Sequence, residues 1–217
     1  MGTELNPRIC VIIAGGDVTG KIGIPEDSLV ICADCGLRHA RAQGITPDIV
    51  IGDFDSYTEA LPEELPVLRL PVEKDVTDTF RAVQYGEEHG FTRFHIYGAL
   101  GGERIDHSIA SLQMLRYLYE RGEDAVIYHG NTVLRMQYGN GEVFRYSWFD
   151  GDFSLFSFSE RCEGVTIRGC KYNVDRITLT NSFPLGVSNC ILEENAEISL
   201  ESGLLLVVQV RRDAHNP

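Results

Sequence analysis

Short apolar runs alternate with longer amphipathic stretches along the first 130 residues, and this alternation constrains the fold more than any other feature. Short runs of this kind are typical of buried strands, and the stretches between them are long enough for helices. The predicted strands are Ile9–Ala14, Ser28–Ala33, Asp48–Gly52, Val67–Leu70, Arg93–Tyr97 and Ala125–Tyr128. The predicted helices are Leu37–Gln43, Thr77–His89 and Asp106–Arg121. The pattern predicts an α/β fold with a mostly parallel sheet flanked by helices.

The last predicted helix carries apolar residues at spacings of three and four. They are Ile109, Leu112, Leu115 and Tyr119. A stripe with this period predicts the helix face that packs against the sheet. Gly122 is expected to end the helix.

After about Gly130 the pattern changes to short alternating runs separated by Gly, Asn, Asp and Ser. The predicted strands of this region are Phe153–Phe158, Gly164–Ile167, Arg176–Leu179 and Glu197–Leu200. Several short strands with turn residues between them predict an all-β sandwich. Glycines and asparagines cluster between His129 and Gly141, so we expect a domain boundary there, with an α/β domain at 1–129 and a β-sandwich domain at 130–217.

The net charge of −13 narrows the range of partners. An acidic chain repels phosphate backbones, which argues against nucleic acid and anionic membranes as partners. Residues 1–129 contain 21 acidic and 11 basic residues, a net charge of −10, so the acidity lies mostly in the first region. Such a region is either an ordinary solvated surface or a set of carboxylates that holds a cation. No apolar run is long enough for a membrane span and no secretory signal is evident, so we expect a cytoplasmic protein.

The six cysteines are expected to be thiols in a reducing compartment. Cys32 and Cys35 form a C-x-x-C motif, which can mark a redox pair or half of a zinc site. No second C-x-x-C completes four ligands, and Cys32 ends an apolar run as a small buried residue would. The spacing therefore favours structural thiols.

Acidic residues follow four of the predicted strands, where the binding crevice of an α/β domain lies. They are Asp34, the pair Asp53 and Asp55, the pair Asp75 and Asp78, and Asp106. Each one alone has a structural interpretation as a turn or helix cap. Asp53 and Asp55 project to the same side, however, and two ionised carboxylates so placed repel each other unless a cation lies between them. Together these residues indicate a metal or phosphate site of the kind that holds Mg²⁺.

The segment Gly98–Gly102 leads from a strand into a helix, where glycines let backbone N–H groups approach an anion. It matches neither the Walker P-loop nor G-x-G-x-x-G, and such turns are common. Arg104 can bind a phosphate through two N–H groups, although an exposed arginine is often merely solvated. No nucleophile elbow or metalloprotease motif occurs, which leaves Mg²⁺-assisted phosphoryl-type transfer as the best-supported chemistry.

Four motifs occur together in an order that resembles the bacterial thiamine pyrophosphokinase family. They are Ala33-Asp34-x-Gly36-Leu37, Gly52-Asp53-Phe54-Asp55-Ser56, Lys74-Asp75-x-Thr77-Asp78 and Gly101-Gly102-x-Arg104-x-Asp106-His107. Gly169-Cys170-Lys171-Tyr172 and Gly186-Val187-Ser188-Asn189 extend the resemblance into the second region. The resemblance implies an ATP-binding catalytic domain, a thiamine-binding β-sandwich and a homodimer with shared active sites. It also implies the reaction, in which pyrophosphate passes from ATP to the thiamine hydroxyl to give thiamine diphosphate and AMP.

The resemblance also implies roles for individual residues. Asp53, Asp55 and Asp78 would bind Mg²⁺ with Asp34 nearby, and Asp106 would orient a catalytic group. Residues implied in nucleotide or phosphate binding are Gly36, Gly101, Gly102, Arg104 and His107. Residues implied at the junction of ATP and thiamine are Lys74, Asp75 and Thr77. Ser188 and Asn189 would hold thiamine from the partner subunit, with Tyr172 close by.

Two residues depart from the family pattern. Cys35 stands where the family has the first of two glycines after the aspartate, a costly exchange if the backbone there needs a positive φ or a close approach. Cys170 replaces an apolar residue. The general base stays open among Asp78, Asp106 and a phosphate oxygen. The alternatives to the transferase are a Mg²⁺-dependent nucleotide pyrophosphatase and a thiamine diphosphate sensor without turnover.

Overall fold

The computed structural model describes residues 8–55, 57, 60–61, 64–73 and 75–212. The chain divides into two compact units, Met1–Gly130 and Asn131–Pro217. Lys74 and Ser56, both part of the motifs above, lie outside the described residues.

Over its described residues, the first unit contains a six-stranded parallel sheet and three helices. Its strands are β1 (Ile9–Ile13), β2 (Leu29–Ala33), β3 (Ile49–Gly52), β4 (Val67–Arg69), β5 (Arg93–Tyr97) and β6 (Asp124–His129). Its helices are α1 (Gly36–Ala42), α2 (Asp78–Glu88) and α3 (Ile105–Glu120). The strand order in this unit is β4-β3-β2-β1-β5-β6. These elements confirm the predicted α/β fold with a parallel sheet.

Helices cover both faces of this sheet, so the strand residues that point to either face are buried. On one face Val11 and Ile13 of β1 pack in a cluster with Leu37 and Ala40 of α1. On the other face α2 lies so close that a Cβ on Gly86 would come within 2.8 Å of the Phe94 ring. The sheet is therefore buried on both faces, which explains why its strands are continuous apolar runs.

The predicted buried stripe of α3 is partly confirmed, because Leu115 is buried and Leu112 and Tyr119 are half-buried, whereas the prediction is wrong at Ile109. Ile109 is 56% exposed, and the buried residues of the helix are Ser108, Ser111, Met114, Leu115 and Leu118. Two small serines therefore lie on the buried face that the apolar pattern assigned to larger side chains. Helix α2 begins as expected at the cap Thr77, whose Oγ1 accepts a hydrogen bond from the N–H of Phe80 at 3.1 Å.

Glu87, in the last turn of α2, and Glu123, just after the C-terminal end of α3, bring two carboxyl groups close to each other. The Glu87 carboxylate accepts hydrogen bonds from the Tyr117 hydroxyl at 3.2 Å and from Nε of Arg121 at 2.6 Å. Burial, and next the Glu87 carboxylate, raise the pKa of Glu123 to about 7. Glu123 therefore keeps its proton into the neutral range.

We expect this proton to make stability depend on pH. The pKa of Glu123 in the folded state lies above its unfolded value, so at pH values between these two pKa values the folded state binds more protons than the unfolded state. The free energy of unfolding therefore falls as pH rises toward 7. Glu123→Gln should remove this pH dependence and raise the free energy of unfolding at pH 8 by about 1 kcal/mol. This value is smaller than the full pKa shift would give, because solvent screens the charge. Urea titrations at pH 5 and pH 8 measure it. Glu120→Gln, on an exposed residue of α3, is the control, and an unchanged pH slope in Glu123→Gln would contradict the assignment.

The second unit is a sandwich of two antiparallel sheets, as predicted. Its strands are β7 (Thr132–Tyr138), β8 (Phe144–Ser147), β9 (Gly151–Ser157), β10 (Arg161–Arg168), β11 (Val174–Thr180), β12 (Asn195–Ser199) and β13 (Leu204–Arg211). One sheet contains β7-β13-β9 and the other has the order β11-β10-β12-β8. Phe153 and Leu205 of the first sheet share a buried cluster with Val165 and Ile198 of the second.

The segment predicted as a boundary, His129–Gly141, is largely a strand. β7 occupies Thr132–Tyr138 and buries Leu134 and Met136. Its Gln137 is also fully buried, because Nε2 donates to the carbonyl of Ile198 at 3.1 Å and Oε1 accepts from the Tyr146 hydroxyl at 3.0 Å. The polar and glycine residues around it obscured the strand in the sequence.

Within the described part of the chain, no helix has both the length and the apolar character needed to cross a membrane. The six cysteines are free thiols. Burial raises the pKa of the Cys32 thiol to about 12, so Cys32 stays protonated at neutral pH and behaves as a small apolar residue.

Candidate functional site

The order of the parallel strands creates a crevice at the carboxyl ends of β1 and β5. The chain leaves β1 toward β2 on one side and returns to β5 on the other, and ligands of α/β domains bind where the order reverses in this way. A cavity of about 250 Å³ lies there. It is lined by Gly15, Gly16, Ala33, Asp34, Cys35, Thr77, Asp78, Thr79, Gly98, Ala99, Gly101, Gly102, Glu103, Arg104, His107 and Ser111. Four separate strand-end segments therefore build one pocket, which we call the strand-end pocket.

Asp34 combines a strained backbone with a buried carboxylate oxygen. Its φ is +46°, in the left-handed region that non-glycine residues seldom adopt, and its N–H donates to the carbonyl of Ile51 at 2.8 Å. Oδ1 of Asp34 is buried and has no hydrogen-bond partner among the described residues. Strain and an unsatisfied buried oxygen at one pocket residue are features of functional sites.

Cys35, which stands in place of a glycine of the family, does not need a left-handed backbone conformation. Cys35 has φ −61° and ψ −10°, in the right-handed helical region, and the left-handed residue is Asp34, one position earlier. Gly15 gives the side chain its room, since a Cβ on Gly15 would lie 3.0 Å from Cβ of Cys35. Burial, and next the Asp34 carboxylate, raise the pKa of the Cys35 thiol to about 11. The thiol is therefore protonated at neutral pH, which argues against a redox pair with Cys32.

Gly36 acts in packing rather than at the pocket surface. It is buried as the first residue of α1, and a Cβ there would lie 1.9 Å from the carbonyl oxygen of Ile13. Its position therefore sets how closely α1 approaches the end of β1. It is not among the pocket-lining residues.

Asp53 and Asp55 follow β3 on a sharp turn. Phe54 between them has φ +61°, and Oδ1 of Asp53 accepts a hydrogen bond from the N–H of Asp55 at 3.2 Å. Neither carboxylate lines the strand-end pocket. They remain predicted metal ligands at the neighbouring strand end, and β3 pairs directly with the β2 strand that carries Asp34.

The start of α2 brings Thr77 and Asp78 to the pocket. Thr77 uses its hydroxyl as the helix cap, and Asp78 is the first helical residue. Asp75 is exposed and does not line the pocket. The structure thus joins Asp78 with Asp34, whereas Lys74 lies outside the described residues.

Arg104 is held by Asp106 through a forked ion pair. Nη2 of Arg104 lies 2.6 Å from Oδ2 of Asp106, and Nε lies 2.9 Å from Oδ1. The hydrogen bonds from Arg104 lower the pKa of Asp106 to about 2. Arg104 and His107 line the pocket, whereas Asp106 does not. Asp106 therefore holds the guanidinium of Arg104 in place, and its role in the reaction stays a prediction.

The pocket carboxylates suit a hard divalent cation. Oδ1 of Asp34 is buried and has no hydrogen-bond partner in the described part of the chain, so a cation would satisfy its charge. Asp78 lines the same pocket. Among the residues that the structure describes, no three His, Cys, Asp or Glu side chains are grouped as for a metal ion. Mg²⁺ is commonly held by one or two carboxylates together with substrate phosphates and water, and these residues fit that mode.

In the second unit, Asn189 ties two loops together. Its Oδ1 accepts from the N–H of Tyr172 at 3.0 Å, and its Nδ2 donates to the carbonyl of Tyr172 at 2.9 Å. Ser188 has φ +59°, and its N–H donates to Oγ of Ser154 at 3.0 Å. The amide of Asn189 is thus committed to the backbone of Tyr172, so Asn189 shapes the loop that carries Tyr172.

An apolar cavity of about 360 Å³ adjoins these loops. It is lined by Leu155, Ile167, Tyr172, Val174, Ile177, Leu179, Leu185, Gly186, Val187 and Asn189. Tyr172 is 55% exposed and Val187 is 43% exposed, so large apolar surface remains accessible beside the cavity. Such a cavity suits an aromatic or aliphatic group.

Sequence reasoning missed the contribution of the loop after β1. Gly15 and Gly16 line the strand-end pocket, as do Thr79 and Ser111. The available signal was the pair of glycines directly after a predicted strand, at the strand end where crevices form. Nothing in the sequence marked Ser111, which lies on the buried face of α3.

Comparisons with known proteins agree across both units. The chain matches the models "Thiamin pyrophosphokinase, catalytic domain" over residues 24–127 and "Thiamin pyrophosphokinase, vitamin B1 binding domain" over residues 148–205, together about three quarters of its length. It is 28% identical over 215 residues to a thiamine pyrophosphokinase of Bacillus subtilis (strain 168), covering 91% of this chain and 96% of that protein.

Solved structures share the fold. A crystal structure of thiamine pyrophosphokinase from Bacillus subtilis has a TM-score of 0.85 and 24% identity, covering 95% of this chain and 100% of that one. The yeast thiamin pyrophosphokinase structure has a TM-score of 0.71 and 16% identity, covering 94% of this chain and 87% of that one. The similarity therefore extends over nearly the whole chain.

Proposed function

The chain belongs to the thiamine pyrophosphokinase family, and we therefore propose that it transfers the pyrophosphoryl group of ATP to the hydroxyl of thiamine in the presence of Mg²⁺. One observation carries this proposal: Asp34, Asp78 and Arg104, from three different strand ends, line a single pocket. Carboxylates for a cation and a guanidinium for phosphate are what phosphoryl-type transfer needs from a protein.

We propose that Asp78 and Asp34 hold Mg²⁺ with the phosphates of ATP, and that Asp53 and Asp55 join them from the end of β3. When bound, the cation neutralises phosphate charge and orients the reacting groups. Arg104, held in a fork by Asp106, would bind a phosphate oxygen from the side of α3. His107 is exposed at the pocket and would bind the nucleotide.

The proposed step forms one bond and breaks one. The thiamine hydroxyl oxygen bonds to the β-phosphorus, the bond from that phosphorus to the oxygen bridging the α-phosphate breaks, and AMP leaves with the electron pair. The hydroxyl proton passes to a carboxylate or a phosphate oxygen. Because its pKa is lowered to about 2, Asp106 is a weak base, which leaves another carboxylate or a phosphate oxygen for this role.

The second unit would bind thiamine. The apolar cavity beside Tyr172 and Val187 suits the rings of the substrate, and the committed amide of Asn189 would keep the Tyr172 loop in place. In this proposal Thr77 lines the junction of ATP and thiamine together with Asp75 and Lys74, and Ser188 of the partner subunit contacts thiamine. The free thiols of the chain support a reducing compartment such as the cytoplasm.

One incubation tests the function. The chain with ATP, Mg²⁺ and thiamine should form thiamine diphosphate and AMP in equal amounts, measured by chromatography. Without thiamine, AMP release should fall to background. AMP released independently of thiamine would indicate a nucleotide pyrophosphatase instead, and binding of thiamine diphosphate without turnover would indicate a sensor.

We also propose that the active species is a homodimer with shared active sites. The exposed apolar residues Phe183, Leu185 and Val187 of the second unit support an interface there. Light scattering after size-exclusion chromatography should give about twice the chain mass of 24.2 kDa. Mixed Asp78→Asn and Tyr172→Ala subunits should recover part of the activity. A monomeric mass with full activity would refute the dimer.

A further inference from the structure

The loops after β1 and β5 run side by side along one edge of the strand-end pocket. The N–H of Ala14 donates to the carbonyl of Tyr97 at 2.8 Å, and that of Gly16 donates to the carbonyl of Gly98 at 2.7 Å. The N–H of Asp17 continues the series, donating to the carbonyl of Leu100 at 2.9 Å. The pairing of the two strands thus extends past their ends into the pocket wall.

Glycines allow this close approach. A Cβ on Gly16 would lie 2.6 Å from the carbonyl oxygen of Gly98, and one on Gly98 would lie 2.2 Å from that of Ala14. Both obstacles are backbone atoms that cannot rotate away. From the other side, Nε2 of His39 lies 2.7 Å from the carbonyl oxygen of Gly16. The loop after β1 is therefore fixed before it reaches Asp17.

Asp17 contacts the next turn of the neighbouring loop through both its backbone and its side chain. Its N–H donates to Leu100, and its Oδ2 accepts a hydrogen bond from the N–H of Gly102 at 2.8 Å. A Cβ on Gly101 would lie 2.3 Å from Oδ2, so the missing side chain at that position leaves room for the carboxylate. The two contacts bracket the turn Leu100–Gly102 and hold it against the loop after β1.

The amides of this turn are consequently committed within the chain. The N–H of Gly101 donates to Oγ of Ser108 at 3.1 Å, and that of Gly102 donates to Asp17. The resemblance implies that these two glycines contact phosphate, and that role stays a prediction. Both line the pocket, and their bonded N–H groups set the path of the chain into Arg104, which lines the pocket two residues later.

We propose that Asp17 is a positioning residue for nucleotide binding: it fixes the Gly101–Gly102 turn and thereby the approach of Arg104 to the phosphates. The inference rests on the proposed function for the identity of the nucleotide. A charged acceptor makes a stronger bond to an N–H group than a neutral one, yet an amide oxygen can replace it in the same geometry. Positioning therefore requires an acceptor oxygen at this place and does not require its charge.

Two variants separate these requirements. Asp17→Ala removes the acceptor and should weaken binding of Mg·α,β-methylene-ATP about tenfold, as expected for the loss of one such hydrogen bond. Asp17→Asn keeps an acceptor oxygen and should bind within about threefold of the parent chain. Calorimetric titration without thiamine measures both affinities. In turnover assays, Asp17→Ala should raise KM for ATP by the same factor and change kcat less than twofold.

The matched control is Asp124→Ala, which removes an exposed carboxylate paired with Arg93 at the opposite ends of the strands. It should leave nucleotide affinity unchanged. Should Asp17→Ala not fold, as judged by circular dichroism, Asp17→Ser takes its place, because its hydroxyl is one bond shorter than the carboxylate.

Three outcomes overturn the proposal. The first is an unchanged nucleotide affinity in Asp17→Ala, and the second is an absence of nucleotide binding by the parent chain. The third is tighter nucleotide binding in both variants, which would mean that the Asp17 carboxylate competes with phosphate. Because the titration omits thiamine, its result is independent of whether thiamine is the acceptor. A chain that binds nucleotide with the expected pattern but does not turn over thiamine would refute the proposed function and leave the role of Asp17 intact.

Discussion

Asp78→Asn should lower kcat by about a thousandfold, the size of loss seen when a group that stabilises transition-state charge is removed. Asp78 is the first residue of α2 and lines the strand-end pocket with Asp34. Asparagine keeps the size of the side chain but provides no negative charge for Mg²⁺. The helix keeps its Thr77 cap, so the free energy of unfolding should change by only about 0.5 kcal/mol through the lost charge at the helix start. Initial rates at saturating Mg²⁺ and ATP, together with a urea titration, measure both quantities.

Glu88→Gln is the control for this variant. Glu88 lies in the last turn of the same helix, where it pairs with Arg81 at 3.0 Å on the protein surface. The control loses an equal charge from the same element and should keep its rate within about twofold, because surface ion pairs contribute little. A rate for Asp78→Asn within tenfold of the parent would remove Asp78 from the proposed mechanism.

Gly36→Ala should lower the free energy of unfolding by about 3 kcal/mol, at the upper end of the range for inserting one methyl group into a packed interior. The new Cβ would lie 1.9 Å from the carbonyl oxygen of Ile13 and 2.6 Å from its carbon. These are backbone atoms of a central strand, so α1 itself must move away. The better helix propensity of alanine, worth about 1 kcal/mol, does not offset this. Urea unfolding followed by circular dichroism measures the loss.

Gly23→Ala provides the comparison at a glycine without a backbone obstacle. Its Cβ would meet only the Tyr97 hydroxyl, at 3.2 Å, and the end of a tyrosine side chain can shift by a few tenths of an ångström. We expect a loss below about 1 kcal/mol. Equal losses in the two variants would mean that the close approach of α1 to β1 does not govern stability.

The parallel sheet could be predicted because its strands are buried on both faces. Central runs such as Val11–Ala14 and Ile49–Ile51 contain only apolar residues, and helices and turns separate them clearly. Predicted and observed strand bounds in the first unit therefore differ by one residue at most. Periodicity was weaker for α3, because Ser108 and Ser111 are buried while Ile109 is exposed.

The second unit was harder to predict, since its strands mix polar with apolar residues and bury some of the polar ones. β7 buries Gln137, whose amide is satisfied by Ile198 and Tyr146 across the sandwich. No local pattern reveals such distant partners. β8, with four residues, is too short to give a period.

The site was predictable in its location and less so in its contacts. Aspartates at strand ends predicted a site at the carboxyl edge of the sheet, and Asp34 and Asp78 line one pocket at that edge. The sequence could not indicate that Gly36 serves packing, or that the amide of Asn189 is bonded to Tyr172. These depend on which atoms the fold brings within hydrogen-bonding distance. The roles of Asp53 and Asp55 as metal ligands stay predictions.

The left-handed backbone conformation of Asp34, Phe54 and Ser188 costs thermal stability, and at such positions the demands of stability and of function differ. Glycine adopts this conformation without the cost of about 1 kcal/mol or more that other residues carry. Selection of variants for survival at high temperature alone should therefore enrich glycine at positions 34 and 188, whereas Phe54 should be retained because its ring packs against the core. Selection for thiamine-dependent growth should retain the aspartate at position 34, because glycine would discard its buried oxygen. The most heat-resistant sequence for this fold and the best catalyst are thus different sequences.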